Sequence, residues 1–238
     1  FVIEKGHGPK KLMEIVRGIK PTGGHFQKPE YLIMPGGPSV LFADKVLVME
    51  GARDVVISGH LDRLAARCAA VSAVSHVSFA TRGWCVFHAL GADQIMDCVR
   101  VFKALGKITA ALFDGDDPGR RYAEQTKDIC PTFVYRSCNY TDPALEEALL
   151  AGLPPDDAKR VLDEFDNCPL CPMGTPTKCW TLKGRCTKGD REERKILLQS
   201  LCLKIYYEKG FFPPAFKNLL NQIDSTTPGK VYDLNADQ

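Results

Sequence analysis

Two acidic clusters stand directly behind apolar runs. Glu50 and Gly51 follow Lys45–Met49 (KVLVM), with Asp54 four positions after Glu50. Asp114, Asp116 and Asp117 follow Ile108–Phe113 (ITAALF) in the loop DGDDPG. Glycine directly after a strand allows an abrupt turn, so Glu50 and Asp54 can reach the same edge of a sheet. Alternate residues of an extended segment point the same way, so Asp114 and Asp116 can aim together. Carboxylates gathered in this manner repel one another, and burying them unpaired is costly. A divalent cation removes the conflict, and hard oxygen ligands suit Mg²⁺ or Mn²⁺. Two such ions about 4 Å apart activate water and stabilise the leaving oxygen of a phosphodiester. The competing reading is structural: Asp in a loop after a strand commonly caps the next helix, and Asp117 before Pro118 fits that role.

The surrounding pattern decides between these readings. A lead-in over residues 1–40 contains a short helical pattern (KKLMEIVRGI), a stretch broken by glycine and proline, and the turn MPGGPS. Strand and helix signals then alternate. KVLVM is a strand, a helical period runs from Asp54 to Ala70, and HVSFAT (His76–Thr81) reads as the second strand. A helix is expected over Val86–Leu105, ITAALF is the third strand, and Pro118 opens a helix reaching Ile129. TFVYR (Thr132–Arg136) is the fourth strand. Such alternation with short connections predicts an α/β fold with a doubly wound, mainly parallel sheet. In that fold ligands collect beyond the carboxyl ends of the strands, where both acidic clusters lie. Trp84 and Phe87 read as core or site edge. After residue 140 the pattern changes to a small helical region over 141–224, with helices at Asp142–Leu150, Pro155–Phe165, Arg191–Glu208 and Pro214–Ile223. A cysteine-rich insertion interrupts it at 167–187, and the polar residues 225–238 read as a fraying tail or linker.

The pieces VLVMEGARD (Val46–Asp54) and ALFDGDDPG (Ala111–Gly119) resemble the TOPRIM domain of topoisomerases, bacterial primases, small ribonucleases and OLD-family (overcoming lysogenization defect) nucleases. LFADKVLVMEGARD (Leu41–Asp54) is closest to the OLD family, in which a second acid lies four residues after the first; here it is Asp54 where that family more often has Glu. VSFATRGWCVF resembles the second strand and its glycine loop, and TDPALEEALL (Thr141–Leu150) the acidic helix start. The resemblance implies a TOPRIM catalytic domain over residues 41–140 and metal-dependent hydrolysis of DNA by two Mg²⁺ or Mn²⁺ ions. Glu50, Asp114 and Asp116 would anchor one ion, and Asp54 with Glu146 a second, with Glu147 the neighbouring alternative to Glu146. Lys195, in REERKILLQS, is matched to a functional lysine that would stabilise charge on the phosphate; a solvated helix lysine is the competing reading. Arg120 and Arg121 would touch the DNA backbone. Family members carry an ABC-type ATPase region ahead of the TOPRIM domain. No Gly-x4-Gly-Lys-Ser/Thr loop occurs here, so the chain would be the nuclease half of a longer polypeptide; the start at Phe1 rather than Met suggests a fragment of a longer polypeptide or a trimmed terminus. Roles in phage defence or DNA repair are implied with it. The alternatives are another TOPRIM enzyme, of ribonuclease, topoisomerase or primase type, and a non-catalytic scaffold that binds nucleic acid.

The remaining sequence narrows the setting. The chain has 31 basic and 29 acidic residues among 238, so net charge gives no argument for nucleic acid. Apolar stretches are broken within about ten residues, well short of the ~20 that a membrane helix needs. With no export signal, a cytoplasmic location is expected. Ten cysteines divide into scattered core thiols and a cluster, Cys168, Cys171, Cys179 and Cys186, amid glycine and proline. That segment lacks the apolar residues to fold by burial, and four thiolates around Zn²⁺ would order it, with disulfides or free thiols as the alternatives. The five histidines are dispersed and are expected at surface or core positions. An oligomer is compatible with the sequence, which does not specify one.

Overall fold

Short runs rich in Val, Leu, Ile and Phe become strands buried on both faces, and the stretches between them become helices that cover those faces. The computed structural model describes Gly18 and residues 37–72, 78–136, 144–166 and 188–234. Within them the order is α1 (Gly37–Phe42), β1 (Lys45–Met49), α2 (Ala52–Ser72), β2 (Trp84–His88), α3 (Ala92–Ala104), β3 (Ile108–Phe113) and α4 (Asp117–Thr126). There follow β4 (Thr132–Tyr135), α5 (Leu145–Ala151), α6 (Pro155–Asp166), α7 (Lys188–Lys209), α8 (Pro214–Gln222) and β5 (Val231–Leu234). The strands form one parallel sheet in the order β2-β1-β3-β4-β5. This is the α/β fold with a parallel sheet that the alternating pattern predicts, and it agrees with the TOPRIM resemblance.

Strand alternation divides the core in two. Leu47, Met49, Leu112, Phe133 and Tyr135 face a layer containing α2 and α5–α8, where Leu61, Leu64, Leu149, Tyr206 and Phe216 are buried. Val46, Val48, Ala111, Phe113 and Val134 face α3 and α4, against Ile95, Val99, Phe102 and Ala123. At the amino edge of the sheet, the Asp224 carboxylate accepts from Lys45 Nζ at 2.8 Å, Arg82 at 3.0 Å and Trp84 Nε1 at 3.0 Å. One carboxylate thereby fastens the end of the helical region to the starts of β1 and β2. Trp84, expected in the core or at the site, is a core residue with its indole N–H spent on this pin.

Three expectations are corrected. The second strand is Trp84–His88, not HVSFAT. Ser78 and Thr81 bond each other through side chain and backbone, Phe79 N–H donates to Asp62 at 2.8 Å, and a single 3-10 turn ends at Gly83 with φ 74°. These local bonds take the polar groups that a strand would need free for its ladder. The following helix therefore begins at Ala92 rather than Val86, after Leu90 (φ 67°) and Gly91 (φ 147°) turn the chain through the left half of backbone space. Residues 231–234 form β5 beside β4 rather than a fraying tail, because Leu234 is buried and Arg136 N–H bonds its carbonyl at 3.1 Å.

Candidate metal centre

Each acidic residue is placed by a backbone feature. Glu50 ends β1, and its Oε1 accepts the N–H of Asp114 at 3.0 Å, across to the end of β3. Asp54 lies in the first turn of α2, where its Oδ2 reaches back to the N–H of Gly51 at 2.7 Å and satisfies an otherwise orphaned helix-start donor. Asp114 leaves β3 against the first turn of α4. A Cβ at Gly119 would collide with the Asp114 carbonyl oxygen, so this approach requires glycine. Glu146, 3% exposed at the start of α5, accepts from Gln199 Nε2 at 2.9 Å and lies 3.8 Å from Lys195 Nζ.

These groups line one cavity of about 360 Å³ at the carboxyl end of the sheet, with Gly51, Arg53, Leu90, Gly91 and Leu145. Burial first, then repulsion from Asp116 and Asp54, pushes the Glu50 carboxyl up to about 7, against the Asp114 amide and Lys195, which lower it. Burial, with Glu146 adding to it, pushes Asp54 up to about 6. Asp114 is driven well above the ordinary range by burial and then by Glu50, Asp54 and Glu146. The Lys195 charge opposes the rise at all three. Half-buried acids whose ionisation is opposed by burial and by one another are chemically suited to a hard divalent cation. Among the described residues no three His, Cys, Asp or Glu side chains already form a closed cation cage. Glu50 and Asp54 are instead turned onto backbone amides, so gathering the acids around an ion requires these side chains to rotate. The donor chemistry fits a divalent cation.

The other expected residues divide. Asp116, not Asp117, caps α4, its Oδ1 accepting from Gly119 N–H at 2.8 Å. It does not line the cavity, though its charge reaches Glu50. Of the two glutamates at the start of α5, Glu146 lines the cavity and Glu147 does not. Lys195 faces the cavity, contrary to a purely solvated lysine. Arg120 braces the fold, donating to the Gly115 carbonyl at 2.9 Å and pairing with Asp233 at 3.0 Å, while Arg121 lies over the Tyr122 ring. Neither arginine lines the cavity. Arg53 and Gln199 do, and went unremarked in the sequence; helical spacing held the signal for Gln199, one turn beyond Lys195. Cys168, Cys171, Cys179 and Cys186 fall outside the described residues, and no finding supports zinc there. Of the scattered cysteines, Cys68, Cys98, Cys130 and Cys202 are buried as core thiols, Cys85 is half-buried, and Cys138 falls outside the described residues.

Residues 41–116 match the family model described as "Overcoming lysogenization defect protein-like, TOPRIM domain". The chain carries an OLD-like TOPRIM domain. The match takes in Glu50, Asp54, Asp114 and Asp116 and stops before Glu146 and Lys195, which the fold brings to the same cavity. No curated protein and no solved structure matches the chain. The TOPRIM domain points to metal-binding, nuclease-type action on nucleic acid. No described helix is long and apolar enough to cross a membrane.

Proposed function

We propose that the chain hydrolyses DNA phosphodiester bonds with two divalent cations, Mg²⁺ or Mn²⁺, as the nuclease half of a longer ATPase–nuclease polypeptide. The observation that carries this reading is the meeting of Glu50, Asp54, Asp114 and Glu146 with Lys195 in one cavity beyond the strand ends. Glu50 and Asp114 would hold one ion, and Asp54 with Glu146 the other. Asp116 serves the first pair from outside, by fixing the start of α4 and adding negative potential at Glu50. When bound, the cations supply Lewis acidity, lowering the pKa of water and neutralising charge at the departing oxygen.

The chain's own groups complete the chemistry. Lys195 Nζ, 3.8 Å from Glu146, would stabilise negative charge as it develops on the phosphate. Gln199 holds Glu146 in place through Nε2, leaving the second carboxylate oxygen to act. Arg53 offers a further cation at the wall for a non-bridging phosphate oxygen. Leu90 sits at the lip and limits water entry, with Gly91 N–H fixed to the Glu50 carbonyl at 3.0 Å.

The deciding experiment incubates supercoiled plasmid, and separately RNA, with the protein in Mg²⁺, Mn²⁺, Ca²⁺ or chelator, beside Asp114→Ala. Nicking or linearisation that needs Mg²⁺ or Mn²⁺ and disappears in the variant is expected. Cleavage that persists equally in the variant removes the assignment.

A further inference from the structure

Tyr135 ends β4 directly beside the acid site. Phe113 pairs with Val134 in the parallel register, so one step further along both strands sets Tyr135 beside Asp114. Both follow residues of the same face, the one carrying Leu112 and Phe133. The tyrosine is 2% exposed, with its ring edge-on to Phe216 at 6.1 Å, and its hydroxyl has no hydrogen-bond partner among the described residues. An unpaired buried hydroxyl costs stability that phenylalanine would not. Tyr206, equally buried, shows the ordinary solution, donating its hydroxyl to the Leu149 carbonyl at 2.8 Å.

The surroundings explain why a phenol is kept. After burial itself, Asp54, Asp114, Glu146 and Glu50 all oppose ionisation of Tyr135, so its hydroxyl lies in the field of the whole acid set and keeps its proton. His88 is also buried with both ring nitrogens unpartnered, but burial alone lowers its pKa and no carboxylate acts on it. Tyr135 is thus an orphaned hydroxyl at the strand position beside Asp114.

We propose that Tyr135 is a positioning residue of the acid site, its Oη–H donating to the Asp114 carboxylate once divalent cations gather the four acids. This rests on the cation-binding reading above. The bond belongs to the loaded arrangement and is not made in the present one, where the hydroxyl has no partner among the described residues. Outer-shell donors of this kind orient ligands, and their removal costs about 10–100-fold in metal affinity.

The test uses calorimetric titration of the full chain with Mn²⁺, together with cation-free thermal melts, on the parent, Tyr135→Phe and Tyr206→Phe. Tyr135→Phe is expected to melt at the same temperature or higher while binding Mn²⁺ roughly tenfold more weakly. Tyr206→Phe is expected to do the reverse, losing stability with unchanged Mn²⁺ affinity. Unchanged affinity in Tyr135→Phe overturns the inference, and so does a joint fall in its stability and affinity. A parent that binds no Mn²⁺ removes the cation-binding reading and this inference together.

Discussion

The side chain of Glu50 accepts the backbone N–H of Asp114 at 3.0 Å, so the acid ending β1 is fastened to the acid that follows β3. Glu50 thus has two employments that pull apart. As an acceptor it aligns two strand ends; as a charge it repels Asp54 and Asp116. Glu50→Gln keeps an acceptor oxygen and deletes the charge. At pH 8 the cation-free variant should be more stable than the parent by roughly 1–3 kcal/mol, the scale of a carboxylate shifted by a few pK units. Its melting temperature should rise less with Mg²⁺ than that of the parent. A variant less stable than the parent would mean that the Glu50 charge is compensated already.

The same repulsion sets a pH dependence. Glu50 is raised from 4.5 to about 7 and Asp54 from 3.8 to about 6. Between about pH 4 and 7 the folded state therefore binds more protons than the unfolded one, and stability falls as pH rises through that window. His60, His88 and Asp224, all lowered, act in the opposite sense, so the parent's curve alone is not diagnostic. The difference between parent and Glu50→Gln isolates the site. It should grow from pH 4 to pH 8 without cation and shrink when saturating Mg²⁺ is present. Saturation at about 100 times the dissociation constant supplies about 2.7 kcal/mol. A pH-independent difference would count against a strained acid cluster.

Gly119 makes a backbone prediction. Its missing Cβ lets α4 begin against the Asp114 carbonyl. Gly119→Ala must push the helix start away, breaking the Asp116 cap and shifting Asp114. A stability loss of roughly 1–3 kcal/mol is expected, on the scale of overpacking, along with weaker Mn²⁺ binding. Urea unfolding and Mn²⁺ titration read the two effects. Normal values for both would show that the loop accommodates the methyl group by moving elsewhere.

How far the sequence discloses the site depends on the range of the interaction involved. Glu50, Asp54 and Asp114 are legible because each follows directly from its strand or first helical turn, where glycine and the buried run fix direction. Glu146 and Lys195 lie far along the chain and reach the cavity through packing of α5 and α7, so only resemblance suggested them. Asp116 illustrates the opposite limit: its type and position fit ligand and cap equally, and the bond to Gly119 N–H makes it a cap. Arg120 looked free for a phosphate because its partner, Asp233, is on β5, a strand of four residues too short to stand out amid its polar neighbours. HVSFAT misled for a related reason, since Ser and Thr bonded locally where alternation suggested a ladder.

Asp224 should separate fold from chemistry. It pins Lys45, Arg82 and Trp84 at the amino edge of the sheet, away from the acid site. Because the group is partly exposed, with 34% side-chain exposure, solvent screens these pairs, and Asp224→Asn should cost no more than about 1 kcal/mol. Mn²⁺ affinity should stay that of the parent. A large change in affinity would show that the two ends of the sheet are coupled.

Lys195 allows the sharpest division between binding and rate. Its ammonium favours the ionised forms of Glu50, Asp54 and Asp114, yet it also competes with any cation they share. At pH 8.5, above the raised values of about 7 for Glu50 and about 6 for Asp54, the help that the lysine gives to ionisation of these two counts for less than its competition with a cation. Lys195→Met, similar in length and uncharged, should then bind Mn²⁺ as tightly as the parent or more tightly. Turnover should nevertheless fall by roughly 10²–10³-fold, as when one charge-stabilising donor is removed from a reacting centre. Lys195→Arg should recover part of that loss. Equal turnover in Lys195→Met and the parent would leave Lys195 a counter-charge to Glu146 and nothing more. Weaker Mn²⁺ binding at this pH would instead make it part of the scaffold that holds the ligands.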